Sequence, residues 1–366
     1  MGMIKNIFLA LISLVFVADL TIYVALSSVK DSMLSADFYT GIFERNGVYA
    51  KVQSFVIDSI SMEAERTEEM LGGLITQDEM RSILKESITV AWIKSQIDGF
   101  VRNLVIYFTT DAQRPVLTLS LADVKPRIVA SLNSTLQAKI PPSAKNQTGN
   151  QSLEAVLPKL LVKCGSFEAC MTYCQENPAD EDCLAAAAAM SEPGAQTLLI
   201  VQMSEAMIAS IPDSYDVYAS MSPQDKVQLS NAKTMIKQFN LLLTGMLVVA
   251  VVLAIIIVAI AGIGNLKSIC RWLGSPLLIT GALLVVAGIF VPGMVMKMIP
   301  TETFKAMGAA NAAFVQIILT DALRTIFGSV MTKGLIILGA GIVLLGVSLF
   351  ISKTGNGEEK SEKRKR

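Results

Sequence analysis

Apolar residues gather in four places along this chain. One stretch, residues 4–26, lies near the start; three others, 241–263, 277–296 and 334–352, lie near the end. Each is long enough to cross a hydrocarbon core of ~30 Å as a helix rising ~1.5 Å per residue. Soluble domains rarely string so many apolar residues together without a polar face. The pattern predicts a mainly α, integral membrane protein with four transmembrane helices. Residues 1–27 are expected to form an uncleaved signal anchor, since the apolar run is longer than a signal-peptide core; a cleaved signal is the alternative. Residues 239–298 read as a transmembrane hairpin and 333–352 as the fourth span. A large, mostly helical, disulfide-containing exterior domain, residues 28–238, is expected between the first and second spans.

Within that segment, residues 37–61 place Phe38, Ile42, Phe43, Val48, Val52, Phe55, Val56 and Ile60 near a 3.6 period, predicting a helix. Gly72-Gly73 interrupts the chain. Thr76 and Glu79 have capping-box spacing, opening a helix over 77–86 that is followed by another over 89–108. Residues 116–121 alternate apolar and hydroxyl side chains, the signature of a short strand. Asp123 and Pro126 suit the start of a further helix. Pro141-Pro142 opens a polar loop through 152. A helix over 152–163 then leads to the cysteines, alanines 185–189 favour helix, and 222–236 forms a helix feeding into the second span. Residues 299–332, with Phe304, Met307, Phe314, Ile318 and Ile326 at helical spacing, read as an exterior amphipathic segment; a re-entrant helix lining a pathway is the alternative.

Charge supplies the sidedness. Lys5, the Lys267/Arg271 turn and the tail after Lys353 fall on one side if the spans alternate. The tail 353–366 holds six basic and three acidic residues, whereas 30–237 holds 25 acidic and 18 basic. The positive-inside rule makes the basic side cytoplasmic, with both termini inside and 28–238 outside.

The chain has no histidine. That excludes a Ser-His-Asp triad, a Cys-His dyad, His-ligated zinc and axial-His haem. Gly262 and Gly264 end a span and lack the strand-to-helix context of a phosphate loop. The acidic runs read as solvated surface, and no cofactor, catalytic residue or nucleic-acid partner is expected.

Cys164, Cys170, Cys174 and Cys183 lie close together in the exterior segment and predict two disulfides, with three connectivities open. A four-thiolate metal site is the alternative, but only Cys170 and Cys174 have the usual zinc-ligand spacing. Cys270 is expected as a free thiol in the basic turn, with palmitoylation as the alternative. Asn133, Asn146 and Asn150 begin glycosylation sequons.

Gly281 and Gly288, Gly334 and Gly341, and Gly339 and Gly346 are each seven apart, a spacing that suits close helix packing; a glycine-lined gate is the alternative. Asp19 is the one acidic residue well inside a span. Such a carboxylate is expected to face protein, hydrogen-bonded near Thr244 and either protonated or paired with Lys297, as a structural clamp or as an ion site.

ITVAWIKSQID around Trp92, LTLSLADVKPRI around Asp123, Cys164 and RWLGSPLLITG from Arg271 together resemble a family of uncharacterised prokaryotic membrane proteins. Its members carry one N-terminal span, a large exterior helical domain and a C-terminal group of spans. The resemblance implies that architecture and no known activity. The expected function is non-enzymatic, a cell-surface interaction, sensing or envelope-assembly module. The lipid bilayer and an exterior protein or ligand would be its partners. A small transporter or channel subunit using Asp19 is the alternative.

Overall fold

The computed structural model describes residues 2–68, 76–139, 159–160, 162–164, 167–190, 208, 211–261, 266–299 and 309–363. It is mainly helical. In order come α1 (Gly2–Met33), α2 (Ala36–Arg45), α3 (Val48–Glu68), α4 (Gln77–Ser87), α5 (Val90–Thr109), β1 (Thr118–Ser120), α6 (Val124–Lys139), α7 (Phe167–Glu176), α8 (Glu181–Met190), β2 (Ser214–Asp216), α9 (Val217–Ser220), α10 (Pro223–Ala261), α11 (Leu266–Met298) and α12 (Ala309–Lys363). Four of these, α1, α10, α11 and α12, are long and apolar enough to cross a membrane. The chain divides into two compact units, one of Met1–Gly47, Val101–Val116 and Met221–Arg366, the other of Val48–Phe100 and Leu117–Ser220.

The first unit is a bundle in which α1 packs against all three other long helices. Leu9 and Phe16 of α1 bury against Ala250 and Ile257 of α10. Val24 buries against Leu284 of α11 and Val330 of α12. The outward faces are apolar as well: Leu11, Leu14, Leu241, Val248, Ile342 and Phe350 are all more than half exposed. Helices that are apolar on both faces suit lipid, not water, as their solvent.

The main seam lies between α11 and α12, and glycines make it. A Cβ on Gly281 would stand 2.4 Å from the Leu338 backbone nitrogen; one on Gly341 would stand 2.6 Å from that of Leu278. Gly288 meets Met331, Gly334 meets Leu284, and Gly274 meets Leu344, Leu345 and Gly341. Seven residues are nearly two helical turns, so 274, 281 and 288 share one face and 334 and 341 the opposing one. The packing reading therefore holds for Gly281, Gly288, Gly334 and Gly341. Gly339 and Gly346 have nothing within 4 Å of an added Cβ and lie off the seam.

This seam sets a register that hydropathy did not reveal. Gly334 lies beside Leu284 and Val285, so the predicted spans 277–296 and 334–352 are offset. The partner of the second is the α11 segment from Lys267, whose carbonyl accepts a hydrogen bond from the Ser348 hydroxyl at 3.0 Å, up to Val285. The 333–352 span and much of the segment before it form one continuous helix, α12, and 222–236 runs unbroken into the second span as α10.

The region of 37–61 also departs from expectation. It is two helices, because Gly47 adopts φ +63°. That left-handed geometry is cheap only for glycine, and it breaks the helix between α2 and α3. Arg45 and Asn46 then reach α12, where both bond the Asp321 carboxylate, at 3.2 and 2.8 Å.

In the second unit the Thr76/Glu79 capping box forms as expected and starts α4. The strand is shorter than predicted and has a partner that alternation did not signal: Thr118 pairs with Asp216, Leu119 with Tyr215 and Ser120 with Ser214, antiparallel. Ile83 of α4 and Leu132 and Leu136 of α6 form a buried cluster.

Candidate functional site

The four cysteines form two bridges, Cys164–Cys170 and Cys174–Cys183. This consumes the thiolates that the metal alternative required. The bridges carry a small core, with Leu160, Cys170 and Cys183 buried and Tyr173 packed on them. Lys163 sits between Asp182, at 2.5 Å, and Asp180, at 3.2 Å. Hydrogen bonding to those carboxylates raises the Lys163 ammonium above its ordinary pKa, and the Lys163 bond holds Asp180 below the usual carboxylate range. Tyr173 also donates its hydroxyl to Asp180 at 3.1 Å. Each of these charges has a partner, so the cluster ties the cysteine segment together and leaves none poised for chemistry.

The stretches around Trp92 and from Arg271 make structural contacts. Trp92 donates its indole N–H to the Ser120 carbonyl at 3.2 Å, and the Gln96 side chain accepts the Ser120 amide at 3.0 Å. The helix around Trp92 thus clasps β1. The stretch from Arg271 supplies Gly274 and Gly281 to the glycine seam.

Asp19 does not meet either expected partner. It is half-buried on α1, and its Oδ2 is enclosed without a hydrogen-bond partner among the described residues. The Thr244 hydroxyl instead donates to the Asn240 carbonyl of its own helix at 2.9 Å. Lys297 is exposed. The cause is register. Leu20, next to Asp19, packs on the clusters that hold Ala250 and Leu284. Thr244 lies six residues from Ala250, and Lys297 thirteen beyond Leu284, distances of ~9 and ~20 Å along a helix. Counting from the ends of the apolar runs puts Asp19 and Thr244 at nearly one depth and needs Lys297 to extend inward from the outer end of its span.

Thr244 belongs to a different arrangement. A cavity of about 460 Å³ lies between α1, α10 and α12, lined by Tyr23, Ser27, Lys30, Asp31, Asn240, Thr244, Lys333 and five aliphatic residues. Lys333 pairs with Asp31 at 2.7 Å and so joins α12 to α1. Lys30 is half-buried and has no ion-pair partner among the described residues. The Asn240 side-chain oxygen is enclosed without a donor among them. Sequence reading took Lys333 only as a span boundary and passed over Lys30, Asp31 and Asn240. The available signal was that each sits at an end of an apolar run, though nothing local says that three such ends converge.

Of the sequons, Asn133 lies in the interior of α6 on a half-buried face; Asn146 and Asn150 lie outside the described residues. Cys270 is a free thiol buried within α11. Among the described residues no group of three or more Cys, Asp or Glu side chains is placed to hold a metal ion.

Comparison with known proteins finds no matching family model, no matching curated protein and no matching solved structure.

Proposed function

We propose that this is a multi-span protein of the cell membrane that works without catalysis, as an interaction, sensing or envelope-assembly module. In this reading both termini are cytoplasmic and residues 28–238 face the exterior. The disulfides of that segment support an oxidising, non-cytoplasmic side, and the basic residues near Lys267 and after Lys353 support the opposite assignment for the other end.

The observation that carries the interaction role is an apolar stripe on α11. Val286, Ile289, Phe290, Met294 and Met298 are between 52% and 80% exposed. They follow Val285, the level at which Gly334 and the Lys333–Asp31 pair mark the end of the apolar belt. From Lys353 back to Lys333 is twenty residues of α12, ~30 Å, which already matches a hydrocarbon core. A stripe beyond that belt faces water unless another surface covers it, and a contiguous apolar surface of this kind favours a protein interface.

The test places a photocrosslinking amino acid at Phe290 in the native membrane. A discrete protein adduct, abolished by Ile289→Glu, is the expected result. Adducts to lipid alone would put the stripe in the bilayer and reject the reading. Impermeant labelling of single cysteines introduced at exposed positions of α3 tests the sidedness. Transport through Asp19 ranks second, because the enclosed Asp19 oxygen has no hydrogen-bond partner among the described residues and the Thr244 hydroxyl is engaged by Asn240.

A further inference from the structure

The cavity among α1, α10 and α12 has a graded lining. Lys30, Asp31, Asn240 and Lys333 lie at one level. From there, α1 descends to Val24, α10 to Leu243 and Leu247, and α12 to Ile336 and Ile337. All three lead toward the end of the bundle where Ser348 bonds Lys267, which is into the apolar belt. The polar level carries two ammonium groups against one carboxylate, and Lys30 lacks an acidic partner among the described residues. Leu247 and Ile336 are 43% and 68% exposed, so the apolar portion is open to the surrounding hydrocarbon.

A free anion would satisfy Lys30 and leave the aliphatic trough empty. A neutral hydrocarbon would fill the trough and leave the ammonium unmatched. The lining asks for both in one molecule, with the anionic group at the rim and a chain running down between α10 and α12. We propose that this cavity is a binding site for a membrane lipid with an anionic phosphate headgroup. The phosphate would sit against Lys30 and the exposed side of Lys333, a headgroup hydroxyl would donate to the Asn240 side-chain oxygen, and one acyl chain would lie along Leu247 and Ile336. Juxtamembrane lysines attract anionic headgroups, and the concave geometry adds contacts that a flat basic surface lacks. The inference needs only that these helices cross a bilayer, and it does not depend on the interaction reading.

The test uses the full chain purified in a neutral detergent, with phosphatidylglycerol, phosphatidylcholine and inorganic phosphate as probes and native mass spectrometry and thermal melting as readouts. The expected result is a stoichiometric phosphatidylglycerol adduct that raises Tm, with phosphatidylcholine, whose phosphate is offset by its quaternary ammonium and whose headgroup has no hydroxyl for Asn240, retained about tenfold less. Lys30→Gln should weaken retention by a similar factor, and Lys30→Arg should restore it. Leu247→Trp, which fills the trough, should abolish the adduct, whereas Leu242→Trp, on the same helix but outside the lining, should not. Equal retention of the two lipids, or full retention in both Lys30→Gln and Leu247→Trp, overturns the proposal. Displacement of the lipid by millimolar inorganic phosphate also overturns it, in favour of a free-anion site. If Lys30→Gln does not fold, the lipid comparison and the Leu247→Trp variant still decide.

Discussion

Replacing Gly281 by alanine puts a methyl group into the closest approach of α11 and α12. The new Cβ would stand 2.4 Å from the Leu338 nitrogen and 2.6 Å from both its Cα and its Cβ. Ordinary contact begins near 3.4 Å, so the helices must separate locally by about 1 Å. Overpacking of this kind costs about 1–3 kcal/mol. Separation also weakens the neighbouring contacts at Gly274, Gly288, Gly334 and Gly341, each atom pair forfeiting a part of its ~0.1–0.2 kcal/mol. Against this stands a gain of about 1 kcal/mol from the higher helix propensity of alanine. The expected outcome is a net loss of about 1–2 kcal/mol or more. Gly339→Ala is the matched control: it receives the same propensity gain and meets nothing within 4 Å, so it should be neutral or stabilising. Both are measured by reversible unfolding in mixed micelles of increasing SDS fraction, followed by far-UV circular dichroism. Leu338→Ala should fail to rescue Gly281→Ala, because two of the clashing atoms are backbone and alanine keeps the third. Equal stability of the Gly281→Ala and Gly339→Ala proteins, or rescue by Leu338→Ala, would refute the reasoning.

Other consequences can be measured separately. Replacing Cys174 and Cys183 by serine removes a bridge closing a nine-residue separation, which should cost about 2–3 kcal/mol and appear as lost hydrogen-exchange protection in α7 and α8; four free thiols on alkylation mapping of the native protein would disprove the pairing. Lys163 lowers the Asp180 pKa, so that contribution is present above the unfolded value of ~3.9 and lost as pH falls through the folded one. The raised Lys163 pKa keeps its own contribution constant below the unfolded value of ~10.4. Protection of α7, corrected for intrinsic exchange rates, should therefore be flat near neutrality and fall below about pH 4, and Lys163→Met should weaken that dependence, leaving the part held by the Asp182 amide and the Tyr173 hydroxyl. Gly47→Ala meets no atom but must hold φ +63°, so a thermal melt should show a loss of about 1–2 kcal/mol, smaller for Gly47→Asn. Asp19→Leu removes an enclosed oxygen without a partner among the described residues, so assembly should persist and Tm should not fall; failure of Asp19→Leu to fold, with Asp19→Asn tolerated, would restore the clamp.

Some features were legible because their cause is local. An apolar run of twenty residues needs no neighbour to demand lipid, and the four such runs fall on the four helices that, among the described residues, are long and apolar enough to cross a membrane. The capping box at Thr76 and Glu79 is a contact across three residues, so its letters suffice. Four clustered cysteines announced bridges, although which cysteine joins which depends on how the chain returns on itself. Gly47 carried a signal too, an Asn-Gly pair inside an apolar period, but the period outweighed it in the reading.

The candidate site was less legible. Hydropathy reports that a segment prefers lipid, and says nothing about its height against its neighbour. A shift of several residues along an apolar helix changes its composition little, whereas the fit of Gly281 against Leu338 allows one register. The packing of α1 on the other three long helices, which composition does not specify, left Asp19 without Thr244 or Lys297 as a partner and gathered Lys30, Asp31, Asn240 and Lys333 around one cavity. By itself, then, the amino-acid sequence determined that the chain is helical, that four segments suit a membrane, and that histidine chemistry is excluded. The heights of the helices, and with them the composition of the polar rim, were decided only in the tertiary structure, because steric contact between helices discriminates at about an ångström where solvent preference does not.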